Sequence, residues 1–270
     1  MAIKASQPIG IFDSGIGGMT VANAVKAILP NEQLVYFGDT AHLPYGDKST
    51  AAIQAYSIKI TDVLLQKGCK LILIACNTAS AAAFELVREY AGSRAKVVNV
   101  IDPVVDYIRE NYDNVKIGLI GTRQTVASGT YQRKIEALNQ NIECKALATP
   151  LLVPMIEESW IKNDISKQII NSYLAHEELN DITSLILGCT HYPLIKSQIK
   201  EYYFDKVDIL DTAAIVAKSV KAYLEYNHLL SSKLMGSDHF LVSDLTPNFE
   251  ATTKLFFGSQ VPLEKYPLWE

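Results

Sequence analysis

Short apolar runs alternate along this chain with longer stretches of amphipathic character. The runs Pro8–Phe12, Gln33–Phe37, Lys70–Ala75, Lys96–Ile101, Val115–Ile120, Ile142–Leu147, Ile182–Leu187 and Val207–Leu210 are almost continuously apolar, as strands buried on both faces must be. Between most of them the apolar positions recur at helical spacing. That spacing predicts helices over Gly18–Leu29, Thr50–Lys67, Ser80–Tyr90, Pro103–Asn111, Thr125–Asn139 and Asp164–Leu179. Such alternation predicts an α/β fold with mostly parallel sheets flanked by helices.

A faint internal repeat refines this. Ile9–Ser14 (IGIFDS) resembles Ile117–Thr122 (IGLIGT), and Leu71–Thr78 (LILIACNT) resembles Ser184–His191 (SLILGCTH) at a similar offset, aligning Cys76 with Cys189. Each pair reads as an apolar strand, a small or polar elbow, then a helix start. Two similar α/β domains are therefore expected. The C-terminal helix Thr212–His228, strand His239–Ser243 and helix Pro247–Phe257 are left over, and returning them to the first unit is the simplest arrangement. The first domain would then be discontinuous, residues 1–101 and 211–270, and the second would span 102–210. Asp102-Pro103 and Asp211-Thr212 are the expected crossovers, since a residue before proline is pushed out of helix.

Composition narrows the class. Of 270 residues, 49% are hydrophobic and 20% charged, enough to pack cores and too little charge for disorder. The net charge of −4 argues against a nucleic-acid partner that needs a basic surface. Apolar runs such as Leu71–Cys76 fall far short of the ~20 residues that span a bilayer, so no membrane partner is expected. The N-terminus lacks the apolar core of a secretory signal. The four cysteines, Cys69, Cys76, Cys144 and Cys189, form no CxxC pair. A cytoplasmic chain with reduced thiols is expected.

Chemistry concentrates at four elbows beyond strand carboxyl ends, where open parallel sheets bind ligands. They are Asp13-Ser14-Gly15, Cys76-Asn77-Thr78, Gly121-Thr122 and Cys189-Thr190-His191. A helix start there offers free N–H groups and favours anions, whether a substrate carboxylate or a thiolate. The loop FDSGIGG matches only the first half of a dinucleotide fingerprint, because Thr20 stands at the third glycine position and Asp13 would repel a pyrophosphate. Its glycines are expected to serve the backbone turn. Cys69 and Cys144 read as small buried hydrophobes. Cys76 and Cys189 each end an apolar strand and precede hydrogen-bond donors. A helix N-terminus, and for Cys189 a nearby His191, should lower their pKa and create usable bases.

The motifs FDSGIGG, YFGDTAHLPYG, ACNTAS and LGCTHYP, in that order and across most of the chain, resemble those of glutamate racemases, of the aspartate/glutamate racemase superfamily. The resemblance implies two similar domains with the active site in the interdomain cleft, and interconversion of L- and D-glutamate without pyridoxal phosphate or metal, supplying D-glutamate for bacterial peptidoglycan. It also implies a homodimer. Carried over by position, Cys76 and Cys189 match the catalytic thiols, Asp13 the acid assisting the first and His191 the group assisting the second. LLVPMIEES resembles the stretch with a further assisting carboxylate, at Glu157 or, failing that, Glu158. Substrate contacts fall on Asp13, Ser14, Tyr45, Gly46, Asn77, Thr78, Thr190 and His191, with Thr122 added because its elbow faces the same cleft. The chain departs from the pattern at Asp211-Thr212-Ala213, where many members read Asp-Ser followed soon by Glu; effector contacts and dimer geometry depend on that stretch.

Racemisation removes a proton from one face of Cα and returns one to the other, so two opposed acid–base groups suit it. Other chemistries compete. A Cys–His acyl-transfer enzyme would use Cys189 and His191 but leave Cys76 without a role, and a histidine two residues from its cysteine is poorly placed as its base. A zinc site at Cys76, Cys189 and His191 lacks a fourth ligand and the usual paired spacing. A binding protein would use the cleft without catalysis. Either glutamate or aspartate fits the residues; the YG and THYP contexts favour glutamate by resemblance.

Overall fold

The computed structural model describes residues 3–270. In chain order the elements are β1 (Ile9–Asp13), α1 (Met19–Ile28), β2 (Leu34–Gly38), α2 (Thr50–Gln66), β3 (Leu71–Ile74), α3 (Asn77–Ala91), β4 (Lys96–Asn99) and α4 (Ile101–Asn111). They continue with β5 (Lys116–Gly121), α5 (Arg123–Ala127), α6 (Thr130–Glu136), β6 (Glu143–Ala148), α7 (Leu152–Glu157), α8 (Asp164–Leu174), β7 (Ser184–Gly188), α9 (Lys196–Tyr202) and β8 (Asp208–Leu210). The last are α10 (Thr212–Tyr226), β9 (His239–Val242), α11 (Pro247–Phe257) and β10 (Glu264–Lys265).

The strands form two wholly parallel sheets. One runs β10-β9-β2-β1-β3-β4 and the other β6-β5-β7-β8. Setting β5 to β8 beside β1 to β4 gives the same strand order in both. The chain thus repeats its topology as well as its elbow sequences, and every elbow leaves the carboxyl edge of a strand.

Alternation along each strand divides the burial. Ile9, Ile11, Leu71 and Leu73 face a core shared with α1, α10 and Phe256, whereas Phe12, Ile72 and Ile74 face α2 and α3. The first of these cores continues through Val100, α10 and Tyr192 to Leu185 and Leu187 of the second sheet. On that sheet's other face, Ile117, Leu119 and Ile186 pack against α4 and Tyr131. Removing one such side chain, as in Leu73→Ala, costs about 2–5 kcal/mol by transfer and cavity terms.

Several expected boundaries move, each for a local reason. The helix expected over Thr125–Asn139 is two helices, because Gly129 adopts φ +62° between α5 and α6. That expected over Asp164–Leu179 stops at Leu174 and resumes only as a 3-10 turn at Glu177–Leu179. Asp102 lies inside α4: the Asn99 side chain accepts from Ile101 and Asp102 N–H at 2.8 Å, starting the helix before Pro103. Pro103, in the first turn, sacrifices no helical hydrogen bond there. The two-residue edge strand β10 has no apolar run to announce it.

Candidate active site

Four elbows converge on one pocket of about 160 Å³. Ser14, Tyr45, Gly46, Cys76, Asn77 and Thr78 line it from the first sheet's side, and Thr122, Glu157, Cys189, Thr190 and His191 from the second's. Of the residues singled out from sequence, Asp13 and Glu158 are absent from the wall. Asp13 lies buried directly behind Ser14, and Glu158 is exposed at the end of α7.

Cys76 caps α3. Its sulfur accepts from Ala79 N–H at 3.4 Å, and the thiol can donate to Ser14 Oγ at 3.8 Å. The helix terminus was expected to lower this thiol's pKa. Instead burial, and then the Asp13 carboxylate, push it up to about 12, against the smaller pull of the Ala79 N–H and Ser14. Cys76 is therefore a protonated thiol at neutral pH. Burial also raises Asp13; the nearby His191 and the N–H groups of Gly18, Gly15 and Ser14 oppose it. Its Oδ2 accepts from Gly15 N–H at 3.1 Å, while its buried Oδ1 has no hydrogen-bond partner among the described residues.

Cys189 opens no α-helix, contrary to the sequence reading: only a 3-10 turn, Tyr192–Ile195, follows it. Its polar partner is His191. Nδ1 stands 3.6 Å from Cys189 Sγ, and Nε2 lies 3.0 Å from Glu157 Oε1. His191 reaches the sulfur two residues before it because the backbone turns sharply at Thr190, with Tyr192 N–H bonding Cys189 O at 3.1 Å. Burial alone would depress the imidazole's pKa, but Cys189 and Glu157 together raise it to about 10. His191 is thus an imidazolium at neutral pH, beside one thiol and held by one carboxylate.

Contacts across the cleft bring the elbows together. Thr20 Oγ1 donates to Thr190 O at 2.9 Å, and Tyr131 OH donates to Asn77 Oδ1 at 2.7 Å. Thr78, Thr122 and Thr125 form a triangle of hydroxyls with 3.0, 3.1 and 3.0 Å edges. At the mouth Arg123 pairs with Asp47 at 3.2 Å. Gly17 is obligatory for this approach: a Cβ there would fall 2.5 Å from His191 Nδ1 and 2.7 Å from Thr190 Oγ1. Gly46 is similarly tight, its Cβ position lying 2.8 Å from Thr122 Cβ.

Tyr45 forms part of the wall through a buried anchor. Its OH donates to Asp39 Oδ2 at 2.7 Å, and Asp39 Oδ1 also accepts from Ser243 Oγ and from Trp269 Nε1, both at 2.8 Å. Sequence reasoning missed Asp39, and it missed Thr149, Val153 and Arg123 of the lining. Thr149 follows the carboxyl end of β6, so the rule that exposed the four elbows, applied to that strand, would have found it. Cys69 and Cys144 stand apart from the pocket, and burial pushes both thiols up to about 12. Among the described residues no group of three His, Cys, Asp or Glu side chains could hold a metal ion, and no helix is long and apolar enough to cross a membrane.

Known proteins share this fold and much of this sequence. The family model for Asp/Glu/hydantoin racemases matches residues 19–220. A glutamate racemase of Chlorobium phaeobacteroides is 42% identical over 256 residues, covering 94% of each chain. The structure of a Francisella tularensis glutamate racemase in complex with D-glutamate superposes with a TM-score of 0.91 at 36% identity, over 98% of this chain and 99% of that one. A Thermus thermophilus glutamate racemase in complex with β-chloro-D-alanine gives a TM-score of 0.86 at 35% identity, over 97% and 98%. The pocket and these likenesses agree: the chain belongs to the Asp/Glu/hydantoin racemase family, among its glutamate racemases, and is an amino-acid racemase.

Proposed function

We propose that this racemase interconverts L- and D-glutamate by a two-thiol mechanism in the cleft between two domains, residues 1–101 with 211–270 and residues 102–210, and that it supplies D-glutamate for peptidoglycan. One observation carries the reading: two strand-end cysteines from topologically equivalent positions line one pocket with different helpers. Cys76, backed by Asp13, is held protonated and suits a proton donor. Cys189 has the His191 imidazolium 3.6 Å from its sulfur, a different helper on the other wall. On this reading Cys189 takes the α-proton of L-glutamate and Cys76 delivers one to the opposite face; for D-glutamate the roles exchange.

The α-hydrogen is a weak acid without an electron sink, so charge developing on the substrate carboxylate must be held by fixed donors. Asn77, the hydroxyls of Thr78, Thr122 and Thr190, and the free N–H groups at the start of α3 supply them. Ser14, Tyr45 and Gly46 complete the wall. Neither pyridoxal phosphate nor metal enters this scheme. The homodimer and cytoplasmic location implied by the resemblance belong to the same reading, and sedimentation would give the mass.

The Cys189–His191–Glu157 line also has the outline of a thiol–histidine–carboxylate triad, the one observation that favours an acyl-transfer reading, although an imidazolium has no free lone pair with which to act as its base. That reading leaves Cys76 idle. Polarimetry of the purified protein with L-glutamate, run beside L-aspartate, separates the possibilities. Loss of rotation with L-glutamate, and deuterium at Cα in D₂O, are expected; hydrolysis of an activated glutamyl ester without racemisation would establish the triad chemistry instead.

A further inference from the structure

We infer that Tyr131 is a positioning residue that fixes the Asn77 side-chain amide as a hydrogen-bond donor toward the substrate. The inference rests on the glutamate reading above and adds to it a group outside the pocket. Asn77 is the first residue of α3, next to Cys76, and its side chain lines the cleft. A carboxamide can present either its oxygen or its NH₂ to the cleft, and the two choices have opposite consequences for a carboxylate ligand. The NH₂ group attracts it; the carbonyl oxygen repels it.

Tyr131 selects between them. It comes from α6, on the opposite side of the cleft, and its ring is fully buried among Ile101, Val104 and Ile117. Its OH reaches Asn77 Oδ1 at 2.7 Å, and Asn77 Nδ2 has no hydrogen-bond partner among the described residues. A phenol O–H is the better donor of the pair and an amide oxygen the better acceptor. The bond therefore ties the oxygen to Tyr131 and leaves both amide hydrogens for the ligand. Burial pushes the phenol's pKa up, so it is a protonated donor at neutral pH. Because the bond joins opposite walls, the amide is set only when the two sides are together.

Tyr131→Phe removes the hydroxyl while keeping the ring that fills the core. The freed amide can then rotate its oxygen toward the substrate. The KM for L-glutamate should rise about tenfold, because the substrate carboxylate is already charged in the ground state, with a smaller fall in kcat from the charge that develops on it. The same substitution in an Asn77→Ala background should change KM by less than twofold, because no amide remains to orient. An unchanged KM in Tyr131→Phe overturns the inference. So does an equal rise in both backgrounds, which would mean that Tyr131 acts through packing. If the unaltered protein turns over no glutamate, the functional reading falls first and this inference with it; glutamate turnover with an unchanged KM in Tyr131→Phe removes this inference alone.

Discussion

His191 shows how a single side chain can be charged by its neighbours against the penalty of its own burial. Glu157 is one of the two groups holding its proton, so Glu157→Gln should release that proton at lower pH. The alkaline limb of the kcat/KM profile should move toward neutrality relative to the unaltered protein, while turnover near pH 7 falls only severalfold. An unmoved limb would remove Glu157 from the assisting role and return Glu158 as candidate. The same shift has a stability consequence. A folded pKa raised above the ordinary 6.5 means that the contribution from His191 is complete below pH 6.5 and is lost as pH rises through about 10. The thiols divide the work differently. Each face of Cα can meet only one sulfur, and a serine hydroxyl is far too weak an acid to replace a thiol. Cys76→Ser and Cys189→Ser should each abolish racemisation. With a β-chloro amino acid, which eliminates chloride after the first deprotonation, Cys76→Ser should still process the L form and Cys189→Ser the D form. Equal residual rates on both enantiomers would dismiss the two-base assignment.

The loop from Asp13 to Gly18 must pass the second sheet's elbow with no room for a side chain. Gly17→Ala would drive a methyl into His191 and Thr190, which come from an apposed backbone turn. A loss of at least a hundredfold in kcat/KM is expected with far-ultraviolet circular dichroism intact; normal activity would show that the elbows are free to separate. At this scale the sequence was most legible where one signal dominated. Strands buried on both faces leave near-continuous apolar runs, as β1, β2, β3, β5 and β7 do, whereas β6, also expected to be buried, is half-exposed at the edge of its sheet. Elements governed by one backbone angle or one cap were less legible. Gly129 breaks a helix that periodicity carries straight through, and Asn99 starts α4 earlier than Pro103 suggests. The site divides along the same line. Elbow residues follow from the strand-end rule, but Tyr131 acts from behind the wall through a hydrogen bond to Asn77, far away in sequence, and Asp39 through Tyr45, across an irregular loop that no periodic pattern describes.

Across the whole molecule, two sheets of matching strand order set Cys76 and Cys189 at equivalent positions, yet the surroundings have ceased to match. One thiol caps a helix beside a buried carboxylate; the other follows a strand and precedes a 3-10 turn, beside an imidazolium. It is tempting to read a preferred direction into that inequality. Thermodynamics forbids it. The two enantiomers have equal free energy in water, so the equilibrium constant is one and kcat/KM must be identical for both, however different the two sulfurs are. What the asymmetry can do is trade affinity against turnover within each direction. We expect KM and kcat each to differ between L- and D-glutamate by a common factor, measurable from full progress curves started at either end. Their quotients should coincide. The broken symmetry would then set how full the enzyme is at a given concentration of each enantiomer, and leave the racemic end point untouched.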